Sequence, residues 1–184
     1  MVARQKEGWT FMAKILVVYR SKYGATKRYA EMMAARSDAE LRENGALRAE
    51  DVARHDTVLF FCAVYASGLS GLQAFTKNRA ALAGKRVAVF GVGASPYDEA
   101  ALAELKTRAG LADIPLFYGR GAWNEAQMSF KDRTLCKLLQ KSLAKQDPST
   151  FAPWQTALME AQGQVCDWVD EKYLAPLERW LAQS

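Results

Sequence analysis

The chain has one histidine and three cysteines in 184 residues, and that scarcity excludes several chemistries at once. A zinc site built on histidines needs several imidazoles, and a Cys–His nucleophile pair needs more partners than His55 alone provides. His55 stands in "ARHDTVLF", just before an apolar run, where a surface residue with no chemical role is expected. Cys62, Cys136 and Cys166 are odd in number and widely spaced, which argues against a disulfide framework and for reduced, buried thiols. No metal site is expected. Long hydrophobic stretches are missing too: the run from Val58 to Tyr65 is far shorter than the ~20 residues of a membrane helix, so no transmembrane segment is expected. The opening "MVARQKEGWTFMAK" lacks the apolar core of a secretory signal, so a cytoplasmic location is expected, with residues 1–13 an N-terminal extension. Two phosphate motifs are absent or broken. G-x-x-x-x-G-K-[ST] does not occur, which disfavours ATP or GTP hydrolysis. "GVGASP" follows a later strand and has Pro96 where the dinucleotide pattern needs its third glycine. A phosphorylatable receiver domain would carry acidic residues after its first strand, where Tyr19 and Arg20 stand instead.

What is present is the balance of a globular domain, 50% hydrophobic and 24% charged, in a length that suits one unit over 14–184. Apolar runs predict strands over 14–19, 57–64, 86–92 and 115–118, and helical spacing predicts helices over 25–36, 72–82 and 99–109. A weaker element is expected over 46–52. Unbroken apolar strands alternating with helices indicate an α/β class built on a five-stranded parallel sheet covered on both faces. A helical insertion is expected at about 120–153, before the last helix. In it Leu135, Leu138, Leu139 and Leu143 form one face, and Arg133, Lys137, Lys141 and Lys145 form another. Asp147, Pro148 and Pro153 end that pattern. The last helix is expected from Trp154 to Val169, with Leu158, Ala161, Val165, Trp168 and Val169 inward.

Such a sheet gathers ligand at the carboxyl ends of its strands. Four segments stand there: "RSKYGATK", "AVYASGLSG", "GVGASPYDE" and "YGRGAWNEA", each with glycine and an aromatic residue. In the first, a helix opens directly after a strand, so free backbone N–H groups point toward a natural anion site. Ser21 and Thr26 add hydroxyls, Gly24 permits a tight turn, and Lys22 and Lys27 add positive potential. The same Ser21 or Thr26 also fits a plain helix cap.

"VVYRSKYGATKRYAEMM" resembles the phosphate loop of the flavodoxins, T/S-x-T-G-x-T, matching at Ser21, Gly24 and Thr26, with Tyr23 in place of the usual hydroxyl residue. "FGVGASPYD" and "RGAWNEAQMSFKDRTLCKLLQK" look like flavodoxin-domain proteins of anaerobic bacteria, in the branch that includes menaquinone-dependent protoporphyrinogen dehydrogenase. The second loop lacks the Arg-Tyr-Gly run of that enzyme. The resemblance implies a flavodoxin-like three-layer sandwich. It also implies FMN, with its phosphate on Ser21, Lys22, Tyr23, Gly24, Ala25 and Thr26. The flavin ring would lie between Ala63, Val64, Tyr65, Ala66, Ser67 and Gly68 on one side and Gly91, Val92, Gly93, Ala94 and Tyr97 on the other. Tyr65 and Tyr97 are the stacking candidates, with Tyr118 and Trp123 weaker ones. Electron transfer through FMN requires no catalytic side chain, and none is assigned. Dehydrogenation of protoporphyrinogen IX and a flavin-free interaction module on the same fold are the alternatives. The net charge of +5 departs from the acidic surface usual in flavodoxins, with seven basic and one acidic residue over 1–28 and six basic and three acidic over 120–149. It favours an acidic redox partner, a small anionic substrate or peripheral contact with an anionic membrane through the basic insertion. Nucleic acid is not expected, because the aromatics sit at strand ends rather than among the basic residues.

Overall fold

A computed structural model describes residues 14–65 and 68–183. The expected N-terminal extension, and Ala66 and Ser67 of the second loop, lie outside the described residues. The chain runs β1 (Ile15–Tyr19), α1 (Ala25–Ser37), β2 (Glu40–Glu43), α2 (Ala49–Ala53), β3 (Thr57–Tyr65), β4 (Gly68–Ser70), α3 (Gln73–Lys77) and β5 (Arg86–Gly93). It continues through α4 (Glu99–Arg108), β6 (Leu116–Arg120), β7 (Ala122–Asn124), α5 (Phe130–Leu143), α6 (Pro153–Glu160), β8 (Val165–Asp167) and α7 (Ala175–Ala182).

The parallel strands lie in the order β2-β1-β3-β5-β6, and β4 joins β3 antiparallel. The middle strands read as unbroken apolar runs because both of their faces are covered. Leu16, Val18, Phe60 and Val89 pack on one side with Val52, Phe75 and Leu105 from α2, α3 and α4. Val17, Leu59, Phe61 and Phe90 pack on the other with Tyr29 and Met33 of α1 and Leu177 of α7. The result is an α/β sandwich of three layers. Its strand order reverses between β1 and β3, which places the ends of those two strands beside a topological switch point. The hydroxyl of Tyr29 donates to the Arg120 carbonyl at 2.7 Å and accepts from the Asp170 N–H at 3.2 Å, tying α1 to β6 and to the C-terminal segment.

Several sequence expectations need correction. The edge strand β2, "ELRE", carries no apolar run because an edge pairs on one side only and is half-exposed, and the weaker element expected over 46–52 is largely the short helix α2. The helix expected over 72–82 is regular only in α3. The helix expected to end at Val169 stops at Glu160. Gly163 at φ +69° then turns the chain, and β8 pairs antiparallel with β7, which leaves Val165 exposed. Only Leu143 of the four leucines on α5 is buried, together with Asp132 and Gln140. The outer face carries exposed Phe130, Leu135, Leu138 and Leu139. Arg133 does not extend a basic stripe: its guanidinium turns back onto the carbonyls of Glu125, Ala126 and Met128. His55 is buried, with Nδ1 2.6 Å from the Asp51 carbonyl and Nε2 3.2 Å from a Glu40 carboxylate oxygen. It closes the gap between α2 and the edge strand. Cys62 is buried as expected, whereas Cys136 and Cys166 are only half-buried. Among the described residues, no helix is long and apolar enough to cross a membrane.

Candidate functional site

After β1 the chain leaves the sheet beside β3, with the Arg20 N–H bonded to the Phe61 carbonyl. Ser21 Oγ then accepts from the Gly24 N–H at 3.0 Å, which folds residues 21–24 into a tight turn. Gly24 has φ +96° and ψ −31°, a conformation that glycine adopts without a Cβ penalty. A Cβ there would meet nothing within 4 Å, so the space in front of this backbone is open. Helix α1 begins at the next residue with no side-chain cap and no acidic residue in its first turn. Its leading N–H groups and the positive end of its dipole therefore lack an intrahelical partner. With the Ser21 hydroxyl and the Lys22 ammonium nearby, this donor set has the chemistry of an anion site. Thr26 lies buried in the first turn, and Lys27 pairs with Glu31 at 3.6 Å.

The second and third segments are more regular than loops. Ala63, Val64 and Tyr65 end β3, and they pair with Ser70, Leu69 and Gly68 of β4 in a hairpin. Gly91, Val92 and Gly93 belong to β5 and are buried, so the third loop opens only at Ala94. Glycine is required at position 93 by a close approach, since a Cβ would lie 2.7 Å from the Tyr118 hydroxyl oxygen. Beyond it, β6 and the residue that follows it fasten the loop through the loop's carbonyls. Tyr118 Oη donates to Ser95 O at 2.7 Å, Arg120 Nε to Ala94 O at 2.8 Å, and the Gly121 N–H to Gly93 O at 2.7 Å. Burial pushes the Tyr118 hydroxyl well above its ordinary value, so it serves as a donor. The Arg120 guanidinium in turn lies 3.8 Å from the centre of the Trp168 ring. Tyr118 is thus committed to bracing the loop. Trp123 sits on β7 opposite Cys166, with its indole N–H buried and unpartnered among the described residues. Tyr65 is 42% exposed and Tyr97 60%, which leaves both rings accessible.

Asp132 was not legible as a site residue, yet it joins the first two segments. Its carboxylate, 4% exposed, lies 2.5 Å from Lys22 Nζ, accepts from Tyr65 Oη at 2.6 Å, and accepts a short bond from Tyr23 Oη. Those three donors hold the carboxyl well below the usual carboxylate range, the Lys22 contact most strongly. Reciprocally, the hydrogen bond to Asp132 raises both Lys22 and Tyr65. Lys22 Nζ also lies 5.3 Å and 5.5 Å from the ring centres of Tyr23 and Tyr65. The sequence signal was "SFKD", a capping-box pattern at the start of α5. Only half of that box forms. Ser129 Oγ accepts from the Asp132 N–H at 3.3 Å, but the Ser129 N–H is taken by the Tyr23 hydroxyl at 3.2 Å, which frees the carboxylate to reach the loops. The Tyr23 hydroxyl, a candidate phosphate contact, is therefore engaged with α5. Two cavities, of about 290 Å³ beside Phe75 and Ile114 and about 430 Å³ between α5 and α6, lie away from these loops.

The model of a family described as Flavodoxin domain matches residues 16–150. Among solved structures, the chain is similar to a two-electron reduced flavodoxin from Megasphaera elsdenii, with 26% identity, 56% of this chain and 82% of that one covered, and a TM-score of 0.44. It is similar also to a flavodoxin from the domain Archaea, with 19% identity, coverage of 72% and 96%, and a TM-score of 0.43. A flavoprotein from Lactobacillus acidophilus NCFM in complex with FMN shares 18% identity, with coverage of 59% and 92% and a TM-score of 0.41. No curated protein matches. The family match spans well over half of the chain, and the chain belongs to the flavodoxin-domain family.

Proposed function

We propose that this protein binds FMN and passes electrons through it to or from a partner or substrate. The observation that carries the reading is the uncapped start of α1 after a glycine at φ +96°, with open space before it and Ser21 beside it. The backbone N–H groups of Ala25 and Thr26, turned out by Gly24, and the Ser21 hydroxyl would hold the phosphate. Tyr65 and Tyr97 would flank the ring, with Ala63, Val64, Tyr65 and Gly68 of the β3–β4 pair on one side and the braced loop from Gly93 to Tyr97 on the other. When bound, FMN supplies one- and two-electron chemistry. The chain's own part is to fix the ring and keep loop carbonyls where β6 holds them. The net charge of +5 and the exposed lysines Lys131, Lys137, Lys141 and Lys145 on and after α5 favour an acidic protein partner, a small anionic substrate or an anionic membrane surface over a basic or nucleic-acid partner.

The test is the visible spectrum of the purified protein before and after addition of FMN, with the released cofactor identified by mass. Flavin bands near one per chain, lost in Ser21→Ala/Thr26→Ala, are expected; a colourless protein that ignores FMN overturns the reading. Dehydrogenation of a porphyrinogen is the second reading, favoured by the helical segment α5 lying against the first two loops. Turnover of protoporphyrinogen IX with a quinone decides it. Binding to anionic vesicles, compared between the native chain and Lys137→Glu/Lys141→Glu, decides the membrane contact.

A further inference from the structure

We propose that Asp132, on α5 and outside all three loops, sets the charge of the phosphate site and so the preference of this protein for FMN over riboflavin, the flavin without a phosphate. The inference rests on the reading that the first loop holds a flavin phosphate. Three groups at that loop and its neighbour, the Lys22 ammonium and the hydroxyls of Tyr23 and Tyr65, all turn toward one carboxylate from a helix 110 residues further along the chain. Lys22 is the loop's own cation, and its charge is cancelled on contact: Nζ lies 2.5 Å from an Asp132 oxygen. Lys27 is drawn toward Glu31 at 3.6 Å. A phosphate on this loop is then met by backbone N–H groups, the helix dipole and hydroxyls, with no net side-chain charge from the Lys22–Asp132 pair. The carboxylate is 4% exposed on its side chain and contacts Lys22 and Tyr23 of the loop itself, so its charge counts in the potential that a dianion on this loop would meet. An uncharged flavin feels none of this.

The consequence is a ladder that follows the summed charge of two residues. Asp132→Asn keeps an oxygen to accept from Tyr65 but leaves Lys22 free, so the pair carries one positive charge. Lys22→Gln leaves it one negative charge, and Lys22→Gln/Asp132→Asn returns it to neutral. Affinity for FMN relative to riboflavin is expected to rise about tenfold in Asp132→Asn, fall about tenfold in Lys22→Gln, and return to the native ratio in the double variant. Both shifts are expected to shrink in 1 M salt, where the Debye length is about 3 Å.

The experiment is a fluorescence titration of the four purified proteins with FMN and with riboflavin, at low and high salt. If Asp132 merely staples α5 to the loops, both single variants bind both flavins more weakly by the same factor and the double variant is no better. That result overturns the proposal. A native protein that binds FMN while the FMN-to-riboflavin ratio stays flat across the four chains overturns it alone. A native protein that binds neither flavin overturns the phosphate-loop reading beneath it.

Discussion

Replacing Gly24 with alanine tests the first loop at a backbone position that is strained for an L-residue and belongs to the proposed phosphate site. At φ +96° and ψ −31° an L-residue sits in a sparsely populated region, at a cost of about 1–3 kcal/mol. Sterics add nothing, because a Cβ at this position meets no atom within 4 Å. Alanine also stiffens the unfolded chain and recovers about 0.4–1 kcal/mol. The net loss is about 1–2 kcal/mol, which for a chain of this size lowers Tm by roughly 2–8 °C. Gly84→Ala is the matched control, since it too has positive φ and open surroundings, but it lies in the turn before β5, at the opposite end of the strand from the third loop. Both variants are expected to lose comparable stability in thermal unfolding of the apoprotein. Only Gly24→Ala is expected to weaken FMN as well. Misaiming one N–H of a charge-assisted contact costs about 1.5–3 kcal/mol, roughly 10- to 150-fold in Kd by flavin fluorescence. If Gly24→Ala loses stability yet binds FMN as tightly as Gly84→Ala does, the backbone of this turn is not the cradle. If it loses no stability, the strain argument itself is wrong.

Further tests address the packing and titration of other groups. The folded-state pKa of Asp132 is depressed, so its contribution to stability is present above the ordinary aspartate value near pH 4 and is lost as pH falls through the folded value. The stability gap between the native chain and Asp132→Asn should narrow between about pH 5 and about pH 2 in urea titrations; a constant gap would remove the linkage. Burial pushes the Cys62 thiol up to about 12, so iodoacetamide at neutral pH should modify it only after unfolding, and native labelling mapped to Cys62 by mass would contradict its placement. Gly119→Ala would put a Cβ 2.8 Å from one ring carbon of Phe90 and 3.0 Å from one of Tyr29, both fully buried. A loss of about 1–3 kcal/mol is expected, and an unchanged Tm would show that those rings can yield.

The parts of the fold that were legible share one cause. β1, β3 and β5 are covered on both faces, so burial alone forces runs such as "TVLFFCAVY" into the sequence, and the helices beside them inherit an apolar stripe. The edge strand pairs on one side and needs no such run, so "ELRE" passed unseen. The last stretch misled for a different reason: Leu158 and Ala161 do keep helical spacing and are buried, but Gly163 at φ +69° ends the helix, and the residues beyond it answer to β7 rather than to a helix face.

The candidate site divides along the same line. Ser21, Gly24 and Thr26 form a local pattern, readable because a strand, a turn and a helix start within a dozen residues must be compatible with one another. Asp132 obeys no such constraint. Seen locally, "SFKD" is a helix cap, and a cap would spend the carboxylate on the Ser129 N–H. The structure gives that N–H to the Tyr23 hydroxyl instead and sends the carboxylate to Lys22 and Tyr65. Tyr23 therefore does two things that its position in the phosphate-loop pattern does not suggest: it replaces the acid in the cap, and it brings α5 onto the loop. A threonine at position 23, the residue type usual in this pattern, lacks the reach of a phenol ring to Ser129 and Asp132. On this argument Tyr23 and Asp132 belong together. Tyr23→Thr should release α5 from the loop, raising the protease sensitivity of the segment between β7 and α6 while leaving the Ser21–Gly24 turn intact. If that segment stays as resistant as in the native chain, the hold on α5 comes from Lys22 and Tyr65 alone.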